Sequence, residues 1–269
     1  MLARYGADMP YADVNGQRLH YLDTGGDGAP VVLSHGFLMD HTMFASQIEA
    51  LRDRYRIITW DERGFGDTTY DGEPFTYWDS ARDLLGLLDH LGIDRAVLGG
   101  MSQGGFLSLR AALLAPERVR ALVLLDSQAG VDDPDTLAAY RQMLETWATV
   151  GPIDELTEIV ANIIIAEPTE NARWIEIWRS RPTEPMVHAG TCLIERDDIT
   201  GRLGEITCPA LVVHGTADTA ISMERADALA AGLSGAGPVV AVPGAHAAGL
   251  THPEPVNAAI VEFLAGLPD

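Results

Sequence analysis

No lysine occurs among the 269 residues, and all 18 basic side chains are arginine. That absence excludes every mechanism that needs a primary amine: Schiff-base catalysis, pyridoxal-phosphate attachment, a Ser-Lys dyad, and the phosphate-gripping lysine of a P-loop. A nucleophile must come from Ser, Thr, Cys, Asp or Glu. Cysteine is almost as scarce. Cys192 and Cys208 stand alone without C-x-x-C spacing, so neither a disulfide framework nor a thiolate zinc site is suggested. Positive charge is also short, because 39 Asp+Glu leave a formal net charge of -21. Such a surface repels phosphate backbones and anionic headgroups, which argues against nucleic acid and membrane partners. No apolar run is long enough to span a bilayer, and Asp8 and Pro10 interrupt the stretch where a secretory leader would be apolar. A cytoplasmic location is expected.

What is present is an apolar, glycine-rich chain, 47% hydrophobic with 27 glycines. This length can close one sizeable core. Tyr11 to Val14 and Leu19 to Leu22 flank Asn15-Gly16, a pair that accepts positive φ, and predict an antiparallel hairpin at a sheet edge. Apolar runs follow at Val31 to Leu33, Arg56 to Trp60, Ala96 to Gly99, Val119 to Leu125, Ala210 to Val213 and Val239 to Val242. Most lack strict alternation, as strands covered on both faces of a parallel sheet do. Helical patterns lie between them. In Trp78 to Leu91, for instance, Leu84, Leu85, Leu87, Leu88 and Leu91 recur as one apolar face. The alternation predicts an α/β fold with a mostly parallel, doubly wound sheet. The rhythm breaks between Gln128 and Arg202, where Pro134, Pro152, Pro168, Pro182 and Pro185 punctuate stretches rich in Leu, Ile, Trp and Glu. The expected organisation is a core of residues 1–127 and 203–269 with a helical cap (lid) insertion at 128–202. The cap would cover the strand ends, where open parallel sheets bind ligands.

Gly99-Gly100-Met101-Ser102-Gln103-Gly104-Gly105 directly follows one predicted strand and precedes an Ala/Leu-rich helix. A serine at so sharp a corner takes unfavourable dihedrals and crowds its neighbours, which explains Gly100 and Gly104 as residues without a Cβ. The following helix N-terminus aims free N–H groups at any oxyanion. Ser102 is therefore the candidate nucleophile, the bland alternative being a serine that caps the helix.

Serine needs a base, and the base needs an acid to hold its tautomer. Of eight histidines, His246 is preferred because Gly244-Ala245-His246 follows the last predicted strand. Its competitor His252 abuts Pro253-Glu254-Pro255, where a surface or capping role suits it better. Two acids end strands, Asp126 and Asp218. Both fit the order Ser-acid-His, with Asp218 preferred and Asp126 left as a backbone-bonded, pocket-shaping alternative. Two backbone donors are expected to form an oxyanion hole, Gln103 beside the nucleophile and Phe37 after Ser34-His35-Gly36. His35 and His214 could be read as metal ligands, but each sits in a His-Gly pair at a strand end and suits a buried, hydrogen-bonded role. No metal and no cofactor are expected.

The chain resembles the α/β-hydrolase superfamily over nearly its whole length. The resemblance rests on His35-Gly36-Phe37, Asp61-Glu62-Arg63-Gly64-Phe65-Gly66, Gly100 to Gly105, Pro209 to Asp218, and Gly244-Ala245-His246. It implies the α/β-hydrolase fold and an acyl-enzyme intermediate, with Ser102, Asp218 and His246 as triad and Phe37 and Gln103 as oxyanion donors. Gln103 departs from the methionine many relatives carry after the serine. Because the backbone N–H does the work, the mechanism is unaffected. The serine itself argues against haloalkane dehalogenases and epoxide hydrolases, whose relatives place aspartate there.

In the insertion, Met143, Trp147, Ile163, Ile164, Ile165, Trp174, Trp178 and Met186 supply more apolar bulk than a solvated lid needs. Most should pack the cap onto the core, and those facing the cleft would favour an apolar acyl or alkyl group. Leu38, Met101, Trp147, Trp174 and Trp178 are the candidate substrate-binding residues. Arg141, Arg173, Arg179, Arg181 and Arg196 share the region and could instead bind a substrate carboxylate, but the solvated surface is the preferred place for each. The expected activity is hydrolysis of carboxylic esters of apolar small molecules. The alternatives are a lactonase, including enol-lactonase types, a cofactor-free perhydrolase or carbon-carbon bond hydrolase, and a non-catalytic small-ligand binder on the same scaffold.

Overall fold

A computed structural model of the chain describes residues 10–268. Asp8, used in the leader argument, lies outside the described residues. Asn15 and Gly16 have φ of 49° and 80°, so both central residues of the turn are left-handed. That turn joins β1 (Tyr11–Val14) to β2 (Gln17–Asp23) in the expected antiparallel hairpin. The strands β3 (Pro30–Ser34), β4 (Arg56–Trp60), β5 (Ala96–Met101), β6 (Val119–Leu125), β7 (Ala210–Gly215) and β8 (Val240–Val242) follow. The sheet runs β1-β2-β4-β3-β5-β6-β7-β8, parallel from β4 to β8, with β1 and β2 as an antiparallel edge. Every residue of β5 and β7 is buried, which is why these runs show no alternation.

Strand order reverses between β3 and β5. Chain leaving β3 turns to β4 on one side, and chain leaving β5 turns to β6 on the other. Their C-terminal ends therefore part, and open sheets form their ligand crevice at such a point.

The core helices are α1 (Ala45–Leu51), α2 (Tyr77–His90) and α3 (Gln103–Leu114). In α2 a capping box of Thr76 and Asp79 starts the helix, and Leu84, Leu87 and Leu88 form its fully buried stripe. Leu85 and Leu91 pack beside that stripe, half-buried.

Between β6 and β7 lie four further helices: α4 (Pro134–Val150), α5 (Asp154–Ile164), α6 (Pro168–Ser180) and α7 (Glu184–Ile194). The prolines that interrupt the sequence mark their starts, since Pro134, Pro168 and Pro185 each stand in a first turn, where a missing N–H costs nothing. The two ends of this inserted stretch meet, with the Ile199 N–H donating to the Ala129 carbonyl. The chain then completes α8 (Met223–Gly232), α9 (Ala248–Thr251) and α10 (Pro253–Ala265). Among the described residues no helix is long and apolar enough to cross a membrane.

Candidate active site

Ser102 is the single residue between β5 and α3, with φ 51° and ψ -113°, the strained corner expected of a residue forced from strand into helix. A Cβ at Gly100 or at Gly104 would collide with the Ser34 carbonyl, so both glycines are demanded by the close approach of β3, β5 and α3. The corner is fastened from below. Ser102 N–H donates to the Leu125 carbonyl, and Ser127 Oγ donates to the Ser102 carbonyl at 2.9 Å.

Asp218 follows β7, and its Oδ1 accepts the N–H groups of Ala220 and Ile221 at 2.8 and 3.0 Å. Those bonds fix the carboxylate, whose Oδ2 lies 2.8 Å from Nδ1 of His246. Burial opposes ionisation of Asp218, yet the His246 charge and hydrogen bond outweigh it and hold the carboxyl below its ordinary range. Burial likewise disfavours a charged His246, but the Asp218 charge and hydrogen bond raise its pKa above the ordinary 6.5. An ionised carboxylate only accepts, so Nδ1 carries the imidazole proton and Nε2 is left as the basic nitrogen.

Asp126 does something else. It is buried after β6 with φ 48°, and its Oδ1 accepts the Gly215 N–H at 2.7 Å. Burial pushes its pKa up to about 8, so at neutral pH it is mostly a neutral acid. His252 lies outside this constellation and is bonded to Thr251 at 3.0 Å.

The β3 loop carries the other expected donor. His35 Nδ1 bonds the Gly36 carbonyl at 2.8 Å, and its Nε2 accepts the Glu62 N–H at 3.0 Å, so both ring nitrogens are committed within the protein. His214 is also buried, bonding the Ile221 carbonyl through Nε2 at 2.9 Å, and burial holds its pKa below 6.5. Beyond His35 the chain turns tightly, with Leu38 at φ 64° and Met39 N–H donating to the Gly36 carbonyl. The Phe37 N–H between them has no partner among the described residues. Gln103 is the first residue of α3, so its N–H has no intrahelical acceptor either.

The inserted helices brace both loops. Trp178 Nε1 donates to the Leu38 carbonyl at 2.6 Å, and the Ala247 N–H, next to His246, donates to the Ile164 carbonyl at 2.7 Å.

Ser102 and His246 open onto one cavity of about 620 Å³, its mouth included, whose walls are mostly apolar. Phe37 and Leu38 line it from the core, and Met143, Ile163 and Ile164 from the insertion. A second cavity, of about 720 Å³, lies beyond Leu38 and is bordered by Trp147, Trp178, Arg181 and Met186. Of the candidate substrate-binding residues, Leu38 alone borders the first cavity, while Trp147 and Trp178 face the second. Trp174 and Met101 line neither; Trp174 is fully buried and Met101 packs against Gly36.

One expectation is corrected. Arg196 is not at the surface but almost wholly buried, pairing with Asp132 at 2.8 Å and donating to the carbonyls of Gly130 and Leu193. The reason is a carboxylate on the adjacent loop that cannot be buried without a countercharge. Sequence reading also missed Gln128, Asp132 and Tyr140, which border the first cavity. Nothing in their spacing distinguishes them from loop and helix-surface polar residues.

A further buried network surrounds the unusual Gln103. Its Nε2 donates to Glu62 Oε2 at 2.9 Å, and its Oε1 accepts from Tyr77 Oη at 3.2 Å. Burial and the charges of Asp61 and Asp83 push the Glu62 carboxyl well above its usual range. This polar cluster anchors the first turn of α3.

A protein of Rhizobium rhizogenes provisionally named carbamate hydrolase RutD is 30% identical over 264 residues, covering 91% of this chain and 96% of that one. Among solved structures, a thermophilic esterase from Thermogutta terrifontis superposes with a TM-score of 0.89 at 31% identity, covering 97% of this chain and 99% of that chain. The enol-lactonase from Burkholderia xenovorans LB400 gives 0.88 at 27% identity, covering 95% and 100%. The family profile described as alpha/beta hydrolase fold matches residues 29–253, and the chain belongs to that family.

Proposed function

We propose that this protein is a serine hydrolase cleaving carboxylic esters of apolar small molecules, with Ser102 as nucleophile, His246 as base and Asp218 as orienting acid. The observation that carries the reading is the convergence of the Ser102 corner and the Asp218-held His246 on one largely apolar cavity. The esterase relative of known structure supports it. Residues 128–202 act in this reading as a cap over the site.

In the first half-reaction Ser102 Oγ attacks the ester carbonyl while His246 Nε2 takes its proton. The imidazolium so formed is stabilised by Asp218. Charge gathers on the carbonyl oxygen, and the N–H groups of Phe37 and Gln103 receive it, each worth about 3 kcal/mol in comparable sites. Collapse expels the alcohol, which leaves with the proton from Nε2. In the second half water attacks the acyl-serine, His246 again acting as base, and the acid is released.

A lactone differs only in that the leaving alcohol stays tethered, and the enol-lactonase among the relatives makes this the second reading. Fluorophosphonate labelling that Ser102→Ala abolishes, together with turnover of p-nitrophenyl esters, tests the proposal. Labelling that persists in Ser102→Ala, or turnover unaffected by it, would reject it. A ring-opening assay on γ- and δ-lactones separates the second reading from the first.

A further inference from the structure

The cavity in front of Ser102 is not apolar throughout. Gln128 and Asp132, from the loop after β6, and Tyr140, from α4, make a polar region in its wall. Asp132 is already matched. Its Oδ2 accepts from Arg196 and its Oδ1 accepts from Gln128 Nε2 at 3.0 Å, with Arg225 a further 3.7 Å away. Gln128 Oε1 in turn accepts from Arg225.

Two donors are left over. Gln128, only 2% exposed, spends one Nε2 proton on Asp132, and the other has no partner among the described residues. Tyr140 Oη has no hydrogen-bond partner among the described residues, and burial with the nearby Asp132 charge pushes its pKa up to about 12. It is therefore a hydroxyl at every ordinary pH. Unpaired donors beside apolar walls favour a ligand that brings an acceptor.

The charge of that acceptor can also be read. Both arginines stand behind the wall, committed to Asp132, Gln128 and backbone carbonyls, and neither lines the cavity. Asp132 does line it. A substrate carboxylate would meet that carboxylate with no cationic donor lining the cavity, whereas a neutral oxygen can accept from Tyr140 and Gln128 without a charge-charge repulsion.

We propose that the substrate, within the ester-hydrolase reading above, carries an uncharged hydrogen-bond acceptor on its apolar group. The acceptor is a ketone, amide or ester oxygen that engages Tyr140 Oη and Gln128 Nε2.

The test uses matched p-nitrophenyl esters: pentanoate against 4-oxopentanoate, hexanoate against 5-oxohexanoate, heptanoate against 6-oxoheptanoate, and the corresponding dicarboxylic monoesters. Acetates of the matching keto and plain alcohols cover the other side of the scissile bond. At least one keto compound should exceed its plain partner in kcat/KM by about fivefold, the worth of one good hydrogen bond. In Tyr140→Phe that ratio should fall by half or more.

The inference is overturned if no keto compound exceeds its plain partner twofold, if the ratio survives in Tyr140→Phe, or if the monoester carboxylates are turned over faster than the keto esters. Titrating the same pairs into Ser102→Ala by calorimetry measures the preference without turnover. A keto preference there, with no ester hydrolysed by the parent protein, would reject the esterase reading while upholding the acceptor site.

Discussion

Replacing Asp218 and Asp126 by asparagine, one at a time, should give opposite results in one pair of assays. Asp218 is ionised and holds the Nδ1 proton of His246 across 2.8 Å. An amide cannot enforce that tautomer, and kcat is expected to fall on the order of 10⁴-fold, about 5.5 kcal/mol at 1.36 kcal/mol per decade. Asp126, with its pKa pushed up to about 8, is about one-tenth ionised at pH 7. An amide resembles the neutral acid, and its oxygen can still accept the Gly215 N–H, so kcat at pH 7 should change by no more than about threefold.

Stability supplies the second assay. The folded pKa of Asp126 lies above its unfolded value near 3.8, so its contribution is complete below pH 3.8 and is lost as pH rises through 8. Between pH 5 and 7 the folded state binds one more proton than the unfolded state at this site. The parent protein should therefore lose on the order of 2–3 kcal/mol relative to Asp126→Asn over those two pH units. Urea denaturation of both proteins at each pH measures the difference. Parallel pH dependence in the two proteins, or an Asp126→Asn variant as inactive as Asp218→Asn, would refute the reasoning.

Other expectations follow from the same geometry. Because the Asp218 pairing raises His246 above 6.5, kcat/KM should fall as pH drops through a value above 6.5, read from a pH-rate profile on an uncharged ester. Trp178→Phe removes the 2.6 Å bond to the Leu38 carbonyl and loosens the loop carrying Phe37; steady-state kinetics should show kcat lower by about three- to tenfold with a smaller change in KM. Gly104→Ala sets a methyl group against the Ser34 carbonyl and should cost about 3 kcal/mol, measured by the denaturation midpoint.

Much of this architecture is legible in the chain because its signals are local. The Asn15-Gly16 turn, the prolines opening α4, α6 and α7, and the glycines around Ser102 each state a backbone requirement that their neighbours cannot conceal. Asp218 could be preferred over Asp126 by position alone, but their different protonation depends on how each is buried. Arg196 shows where local reading ends. A basic side chain in a helical insertion looks solvated until the fold brings Asp132, 64 positions away, against it. The same holds for the tryptophans. Their bulk indicates packing, whereas their absence from the cavity in front of Ser102 is set by helix orientations that no short pattern encodes.

The two bonds that tie the insertion to the Leu38 and His246 loops restrict how such a protein can be re-engineered. Since Ala129 and Ile199 close the stem of the insertion, a foreign helical segment could be grafted there without disturbing the sheet register. Such a graft would still have to present an indole-like donor to Leu38 and a free carbonyl to Ala247. A chimera that matched only the stem would inherit new selectivity together with slack chemistry.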